Sequence, residues 1–225
     1  MDFKKVILSF IFVITVILSF FFFYQYNTDI KESLYSMYTY FSFGESYANA
    51  INIQQLVNKV EKNYGEEIDR YSEQFQLPSE YLKSLIVLEC SGHRPASSRF
   101  EHHVYNKLLD LRSGKIENYG IIEQSDITDA TDEALLNLAS SWGPFQLMGY
   151  KCIQLGINIS QMRGENAIYW GIKWIDMTYG TYLRKNEYEN AFHIHNTGRE
   201  YPVDGNVSTS NPDYVKRGLQ YMKYF

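Results

Sequence analysis

The chain contains only two cysteines in 225 residues, and it has no excess of basic residues, with a formal net charge of −5. A nucleic acid is therefore not an expected partner, because nucleic-acid binding needs a basic face. Two cysteines are also too few for a zinc site built from thiolates, and no His-Glu-x-x-His segment is present. The sequence has no internal repeat, so we expect one domain of moderate size with an appendage.

The appendage is a long apolar run over residues 6–24, preceded by Lys4 and Lys5. About twenty apolar residues cross the core of a bilayer as a helix, and lysines on the N-terminal side keep that end in the cytoplasm. We therefore expect residues 1–24 to be an uncleaved transmembrane signal anchor. It would bind the cytoplasmic membrane and place the rest of the chain on the periplasmic or extracellular side. A cleaved signal peptide is the alternative, although the run ends without small residues at a cleavage site.

The rest of the chain divides into a stalk and a mainly α-helical domain. Residues 25–55 are rich in Tyr, Ser and Asn without a steady period, and we interpret them as a juxtamembrane stalk. Residues 56–225 show helical periodicity separated by polar breaks, which predicts a mainly α domain with minimal β structure. The expected helices cover residues 57–75, with a break near Gly65, and residues 78–90, 101–111, 133–138, 150–155, 166–185, 188–195 and 213–224, with a further short helix after Asn158. Residues 112–133 are polar and rich in turns, and a turn or short hairpin covers residues 140–149.

Glu89 occupies a position where a core residue is expected. In the helix that ends at Leu88-Glu89-Cys90-Ser91-Gly92, Leu82, Leu85 and Ile86 form an i, i+3, i+4 series whose next position is Glu89. Burial disfavours the charged form of a carboxyl group and raises its pKa. A carboxylic acid that stays protonated near neutral pH can donate a proton to a glycosidic oxygen. Periodicity alone leaves open a helix-end Glu that points into water.

Two further segments stand in a recognisable order after this Glu-x-Ser-Gly helix end. They are Ser141-Trp-Gly-Pro-Phe-Gln-Leu-Met-Gly149 and Ala191-Phe-His-Ile-His-Asn-Thr-Gly198, and a terminal Tyr-Val-Lys-Arg helix follows. The order resembles the lysozyme-like superfamily of lytic transglycosylases and muramidases. A closer likeness is to the N-acetylmuramidase domain family of phage and bacterial cell-wall enzymes, which also has a Phe-Glu-x-His-x-Phe segment similar to Arg99-Phe-Glu-His-His-Val-Tyr105. The resemblance covers roughly residues 65–225.

The resemblance implies a lysozyme-like fold and a role for each matching residue. Glu89 would be the general acid that protonates the β-1,4 bond between N-acetylmuramic acid and N-acetylglucosamine in peptidoglycan glycan strands. The substrate-binding residues would be Ser141, Trp142, Gln146, His195 and Asn196. A Gln side chain offers donors and an acceptor suited to sugar edges, and a Trp ring can stack on a sugar. Gly143 would let the backbone approach the substrate closely. Two departures from the family are Cys90, in place of Ser, and His195, in place of the Tyr of a Tyr-Asn motif.

A glycosidase usually needs a second carboxylate, and Glu101 in the Phe-Glu-His segment is the candidate. An ion pair of Glu101 with Arg94 or Arg99 is the alternative. Without a second carboxylate, the 6-hydroxyl or acetamido group of the muramic acid could act instead. The 6-hydroxyl route gives the 1,6-anhydro product of a lytic transglycosylase. The sequence does not distinguish a reaction that uses a second carboxylate from one in which a group of the sugar acts instead.

Two functions other than the muramidase are alternatives that the sequence also allows. A non-catalytic peptidoglycan-binding scaffold is motivated by the changes at Cys90 and His195. A metal-dependent wall peptidase would use His193 and His195, but residues i and i+2 diverge around a helix axis, so we expect no metal and no cofactor.

Cys90 and Cys152 each follow a motif segment, and either a disulfide between them or two separate thiols fits the sequence.

Overall fold

The computed structural model describes residues 45–205, 209 and 211–225, together with residues 31, 33, 34 and 37. Within these residues the chain is mainly α-helical, as predicted. The predicted anchor over residues 1–24 lies outside the described residues, as does much of the predicted stalk over residues 25–55. None of the helices in the described part of the chain is long and apolar enough to cross a membrane.

Residues 55–225 form one compact unit, whose described residues contain the last part of α1, nine further α-helices and five short strands. The α-helices are α1 (Glu45–Val60), α2 (Glu66–Phe75), α3 (Ser79–Cys90), α4 (His102–Arg112), α5 (Asp132–Leu138), α6 (Lys151–Leu155), α7 (Ile159–Arg163), α8 (Ala167–Arg184), α9 (Tyr188–Thr197) and α10 (Tyr214–Met222). The strands are β1 (Arg99–Phe100), β2 (Asn118–Tyr119), β3 (Ile122–Glu123), β4 (Ser140–Trp142) and β5 (Leu147–Met148). A 3₁₀ turn covers Gln124–Asp126.

Helix α3 forms the centre of the unit. Every residue from Tyr81 to Val87 is buried, so this helix is enclosed on all sides rather than along one stripe. It packs mainly against α10 and also against α2. Pro78, in extended conformation, precedes its first turn, and Ser91, with a φ of 50°, ends it in a left-handed turn. This arrangement brings the C-terminal end of α3, which carries Glu89, to the edge of the core.

The strands β1, β4 and β5 form a three-stranded antiparallel sheet in that order. Arg99 pairs with Ser141, and Ser141 pairs in turn with Met148. A second apolar cluster stabilises this half of the unit through α4, α5 and the strand β3. Its buried members are Val104, Leu108, Leu111, Ile122, Ile127, Leu135 and Ala139. The strands β2 and β3 pair separately, within the segment that was predicted to be polar and rich in turns.

A π-helical turn, Glu61–Gly65, joins α1 to α2 without a break. The sequence predicted a break near Gly65, and that prediction is wrong, because Gly65 has helical backbone angles. The π-helical turn places two side chains on the loop that follows α3. Asn63 Nδ2 donates to the main-chain oxygen of Gly92 at 2.8 Å, and the Tyr64 hydroxyl donates to that of His93 at 2.5 Å. The loop after Glu89 is therefore fixed by an irregular turn, which is a common location for functional sites.

Candidate functional site

Glu89 is mostly buried at the C-terminal end of α3, with 18 % of its side chain exposed. The Tyr214 hydroxyl, from the first turn of α10, donates a hydrogen bond to Glu89 Oε1. The contact joins residues 125 positions apart, and it follows from the packing of α10 against α3. The carboxyl group therefore lies in the core-facing position that the periodicity indicated.

Burial raises the pKa of the Glu89 carboxyl from its ordinary 4.5 to about 7. The hydrogen bond from Tyr214 and the positive charge of Arg99 act in the opposite direction, because both favour the carboxylate. The cost of desolvating the charge is the larger effect. A carboxylic acid with such a pKa is partly protonated at neutral pH, as a general acid must be.

His195 lies next to Glu89, with its Nε2 atom 3.8 Å from Glu89 Oε1 and 5 % of its side chain exposed. Its Nε2 atom is 3.1 Å from the main-chain oxygen of Phe145, and its Nδ1 atom is 2.7 Å from the Tyr179 hydroxyl. A carbonyl oxygen only accepts, so Nε2 carries the hydrogen, and Nδ1 accepts from Tyr179. Burial lowers the pKa of His195 to about 4, so the ring is neutral at pH 7.

Ser141 and Gln146 are hydrogen-bonded to each other within the β4–β5 hairpin. The Ser141 hydroxyl donates to Gln146 Oε1 at 2.7 Å. Gln146 Nε2 donates to the main-chain oxygens of Ser97 at 2.7 Å and Gly143 at 3.0 Å. Both side chains therefore fasten the hairpin to the loop before β1, and their contacts with a sugar stay predictions.

Trp142 and Asn196 are both half-buried. The Trp142 indole donates to the main-chain oxygen of Asn137 at 2.8 Å, and the guanidinium of Arg163 lies 5.1 Å from the centre of its ring. One face of the ring is thus covered by a cation. The Asn196 amide makes no hydrogen bond to another residue of the described part of the chain, so it is available to a ligand.

Glu101 precedes α4 and forms an ion pair with Arg99, whose Nη2 atom is 2.6 Å from Glu101 Oε1. His103 Nδ1 lies 3.6 Å from the other carboxylate oxygen. The positive charge of Arg99 also lowers the pKa of Glu89, so Arg99 interacts electrostatically with both candidate carboxyl groups. The alternative interpretation of Glu101, an ion pair with Arg94 or Arg99, is therefore correct for Arg99. An ion pair does not by itself exclude a catalytic role.

Cys90 and Cys152 are both free thiols, which decides the choice between a disulfide and two separate cysteines. Cys90 Sγ lies 3.7 Å from the main-chain oxygen of His93, and burial raises the pKa of its thiol to about 11. Within the described residues, no three His, Cys, Asp or Glu side chains are grouped so that they could hold a metal ion. His193 Nδ1 is hydrogen-bonded to the main-chain oxygen of Arg199 at 2.8 Å.

The sequence interpretation missed the two tyrosines that complete the site, Tyr179 and Tyr214. Tyr214 begins the Tyr-Val-Lys-Arg segment, so its place in the motif order was visible, but its contact with Glu89 was not. Tyr179 lies within the helix predicted over residues 166–185 and is fully buried there. Comparisons with protein-family models, with curated proteins and with solved structures find no match to this chain.

Proposed function

We propose that this chain cleaves peptidoglycan glycan strands at the β-1,4 bond between N-acetylmuramic acid and N-acetylglucosamine. Its domain would be a lysozyme-like muramidase held outside the cytoplasmic membrane by residues 6–24. The observation that carries the proposal is the Glu89 carboxyl, buried at the end of α3, with a pKa of about 7. Its position in a motif order that resembles cell-wall muramidases supplies the choice of substrate.

The hydrogen bond from Tyr214 indicates which oxygen of Glu89 delivers the proton. Oε1 accepts from the tyrosine hydroxyl, so the proton of the neutral acid resides on Oε2. Oε2 donates to the bridging oxygen as the glycosidic bond breaks. The resulting carboxylate is then stabilised by the same Tyr214 hydrogen bond and by the charge of Arg99, since both favour the ionised form.

Glu89→Gln tests the proposal. The amide cannot donate an acidic proton, so we expect release of soluble fragments from purified cell walls to fall by about 10²–10⁴-fold. Glu73→Gln is the matched control, because Glu73 is exposed on α2 and should leave the rate unchanged. Full activity in the Glu89 variant would refute the acid assignment. Binding of cell walls by the unaltered chain without any cleavage would select the scaffold function instead.

The surroundings of Glu89 favour a second candidate, the lytic transglycosylase. In a retaining pair the carboxyl groups are about 5–5.5 Å apart, so a second carboxylate would raise the pKa of the first by repulsion. Within the described residues, the causes of the shift at Glu89 are burial, Tyr214 and Arg99, and no carboxylate is among them. The 6-hydroxyl of the muramic acid would then attack the anomeric carbon.

Mass spectrometry of the products distinguishes the two outcomes. Hydrolysis leaves reducing ends, whereas attack by the 6-hydroxyl leaves 1,6-anhydro ends that are lighter by one water. A Glu101→Gln variant adds a second measurement. If Glu101 activates water, its loss should reduce cleavage about as strongly as the loss of Glu89, and the products should carry reducing ends. If the sugar supplies its own nucleophile, Glu101→Gln should lower the rate far less.

A further inference from the structure

A cleft of about 400 Å³ lies beside the candidate site, and Trp142 is the one residue of its lining that the proposed function also assigns to substrate binding. It is enclosed by the π-helical turn, the loop before β1, the β4–β5 turn and the residues that join α7 to α8. Two residues of its wall connect it to the site. The Tyr64 hydroxyl donates to the main-chain oxygen of His93, and the thiol of Cys90, next to Glu89, lies 3.7 Å from the same oxygen. Pro144, also in its wall, precedes Phe145, whose carbonyl oxygen accepts from His195.

The charged side chains that line the cleft are Arg94, Arg163 and Glu165. Two of them are cations and one is an anion. Arg94 is already bound, since its guanidinium donates to Glu67 and to the main-chain oxygen of Asn63. Its orientation is therefore fixed.

Arg163 is the cation of the cleft that can accept an anionic ligand. Its side chain is exposed, and its guanidinium rests on Trp142 without an ion pair to any carboxylate of the described residues. A guanidinium binds a carboxylate through two parallel hydrogen bonds, and stacking on an aromatic ring leaves its N–H groups free for that purpose. The exposed Ser98 adds a hydroxyl to the same cleft.

The remaining lining is largely apolar and consists of Pro95, Ala96, Trp142, Gly164, Ala167 and Ile168 with the two residues of the β4–β5 turn, Gly143 and Pro144. A volume of 400 Å³ falls within the range of sites for small organic ligands, about 300–1,000 Å³. It exceeds what a lone carboxylate group would fill. The ligand that fits is a short segment with small apolar side chains and at least one carboxylate.

We infer that this cleft binds the peptide stem carried by the lactyl group of muramic acid, with a stem carboxylate on Arg163. The inference rests on the proposed function for the identity of the substrate, because glycan strands of peptidoglycan present such stems beside the bond that Glu89 would cleave. Binding there would make the enzyme select strands that still bear peptides. The free lactyl carboxylate of a stem-free muramic acid has the same chemistry, and the experiment separates the two sources.

The test measures binding to the full chain, and none of its probes contains the β-1,4 bond that Glu89 would cleave. The probes are N-acetylmuramyl-L-alanyl-D-glutamate, N-acetylmuramic acid and N-acetylglucosamine. We expect the dipeptide probe to bind most tightly, and Arg163→Gln to weaken its binding about tenfold, because a charge-assisted hydrogen bond is lost. Arg70→Gln is the matched control, since the Arg70 guanidinium also stacks on a ring, that of Tyr71 at 4.6 Å, but lies outside the cleft.

Equal affinity for the three probes, or equal dipeptide affinity in the Arg163 and Arg70 variants, would overturn the inference. Binding of N-acetylmuramic acid as tight as that of the dipeptide probe would assign Arg163 to the lactyl carboxylate and overturn the stem assignment. The outcome is independent of cleavage. A chain that binds the dipeptide probe through Arg163 but never releases wall fragments would refute the proposed function alone.

Discussion

At the residue scale, the candidate site depends on the balance between burial and hydrogen bonding at one carboxyl group. Burial raises the pKa of Glu89, and the Tyr214 hydroxyl lowers it. The tyrosine therefore limits a shift that would otherwise be larger. Its second effect is geometric, because it occupies Oε1 and leaves Oε2 as the oxygen that would carry the proton in the proposed mechanism.

Tyr214→Phe should extend activity to higher pH. Removal of the hydroxyl removes the group that favours the carboxylate, so the pKa of Glu89 rises further above 7. A general acid must be protonated, and the loss of kcat/KM on the alkaline side should therefore occur at higher pH than in the unaltered chain. The measurement is the pH profile of wall-fragment release. Tyr221→Phe removes a hydroxyl from the same helix, where it contacts Arg217, and should leave the profile in place.

The sequence could place Glu89 but not the groups that act on it. Helical periodicity assigns a residue to the core from its neighbours within two turns, and it indicated a core-facing Glu89 while leaving an orientation into water open. The partner Tyr214 is 125 residues away and becomes visible only when α10 packs on α3. For the same reason, nothing in the sequence indicated that the polar atoms of Ser141 and Gln146 are already used within the hairpin.

At the element scale, the β4–β5 turn lies between the site and the cleft, and its shape depends on Gly143. This residue has a φ of 71°, and a Cβ atom there would lie 2.6 Å from the main-chain oxygen of Met162. The sequence interpretation attributed this glycine to close approach of a substrate. The structure gives it a second reason, which is close approach of the end of α7.

Gly143→Ala should therefore lower the free energy of unfolding by about 3 kcal/mol. Roughly 1 kcal/mol comes from left-handed backbone strain and the rest from the contact with Met162, which is main chain and cannot rotate away. Gly156→Ala separates the two effects, because Gly156 has a φ of 64° and nothing within 4 Å of its added Cβ. It should cost only about 1 kcal/mol. Urea unfolding measures both, and equal losses would contradict the role of the Met162 contact.

Most helices could be predicted from the sequence, and the irregular turns could not. Apolar periodicity and the signals at Pro78 and Ser91-Gly92 were sufficient for α3. The π-helical turn at Glu61–Gly65 leaves no comparable mark. A π-helical turn shifts the periodicity by one residue, and a glycine in such a turn is indistinguishable from a glycine that ends a helix.

At the scale of the whole molecule, two neighbouring buried groups titrate in opposite directions. Glu89 has a pKa raised from 4.5 to about 7, so the folded state holds its proton longer than the unfolded state, and stability falls as pH rises between these values. His195 has a pKa lowered from 6.5 to about 4, so the folded state gives up its proton earlier, and stability rises with pH over that range. Between pH 4.5 and 6.5 the two contributions oppose each other.

Glu89→Gln should expose the contribution of His195. Relative to the unaltered chain, the free energy of unfolding of the variant should rise by about 2 kcal/mol between pH 4.5 and pH 6.5, since only the histidine then titrates. Urea unfolding at the two pH values measures the difference. Glu73→Gln, on an exposed residue, should show the same pH dependence as the unaltered chain. A Glu89 variant that also follows the unaltered chain would contradict the raised pKa.

The mainly α character of the whole domain was also predictable, because it follows from local patterns summed over many helices. The packing of α3 against α10 and the hydrogen bond that joins the hairpin to the loop before β1 could not be predicted. Both depend on contacts between parts of the chain that are distant in sequence. The membrane anchor over residues 6–24 and the muramidase identity stay predictions, which the experiments above address.

The two unpaired cysteines have a consequence for the protein's resistance to oxidation. Thiols react with peroxides and with other disulfides as thiolates, and burial keeps Cys90 protonated by raising its pKa to about 11 and also raises the pKa of Cys152. Both sulfurs should therefore be slow to oxidise, and the domain needs no oxidative folding machinery and no reductant to remain intact. A protein with this chemistry would tolerate a change of redox environment during export without changing its covalent structure.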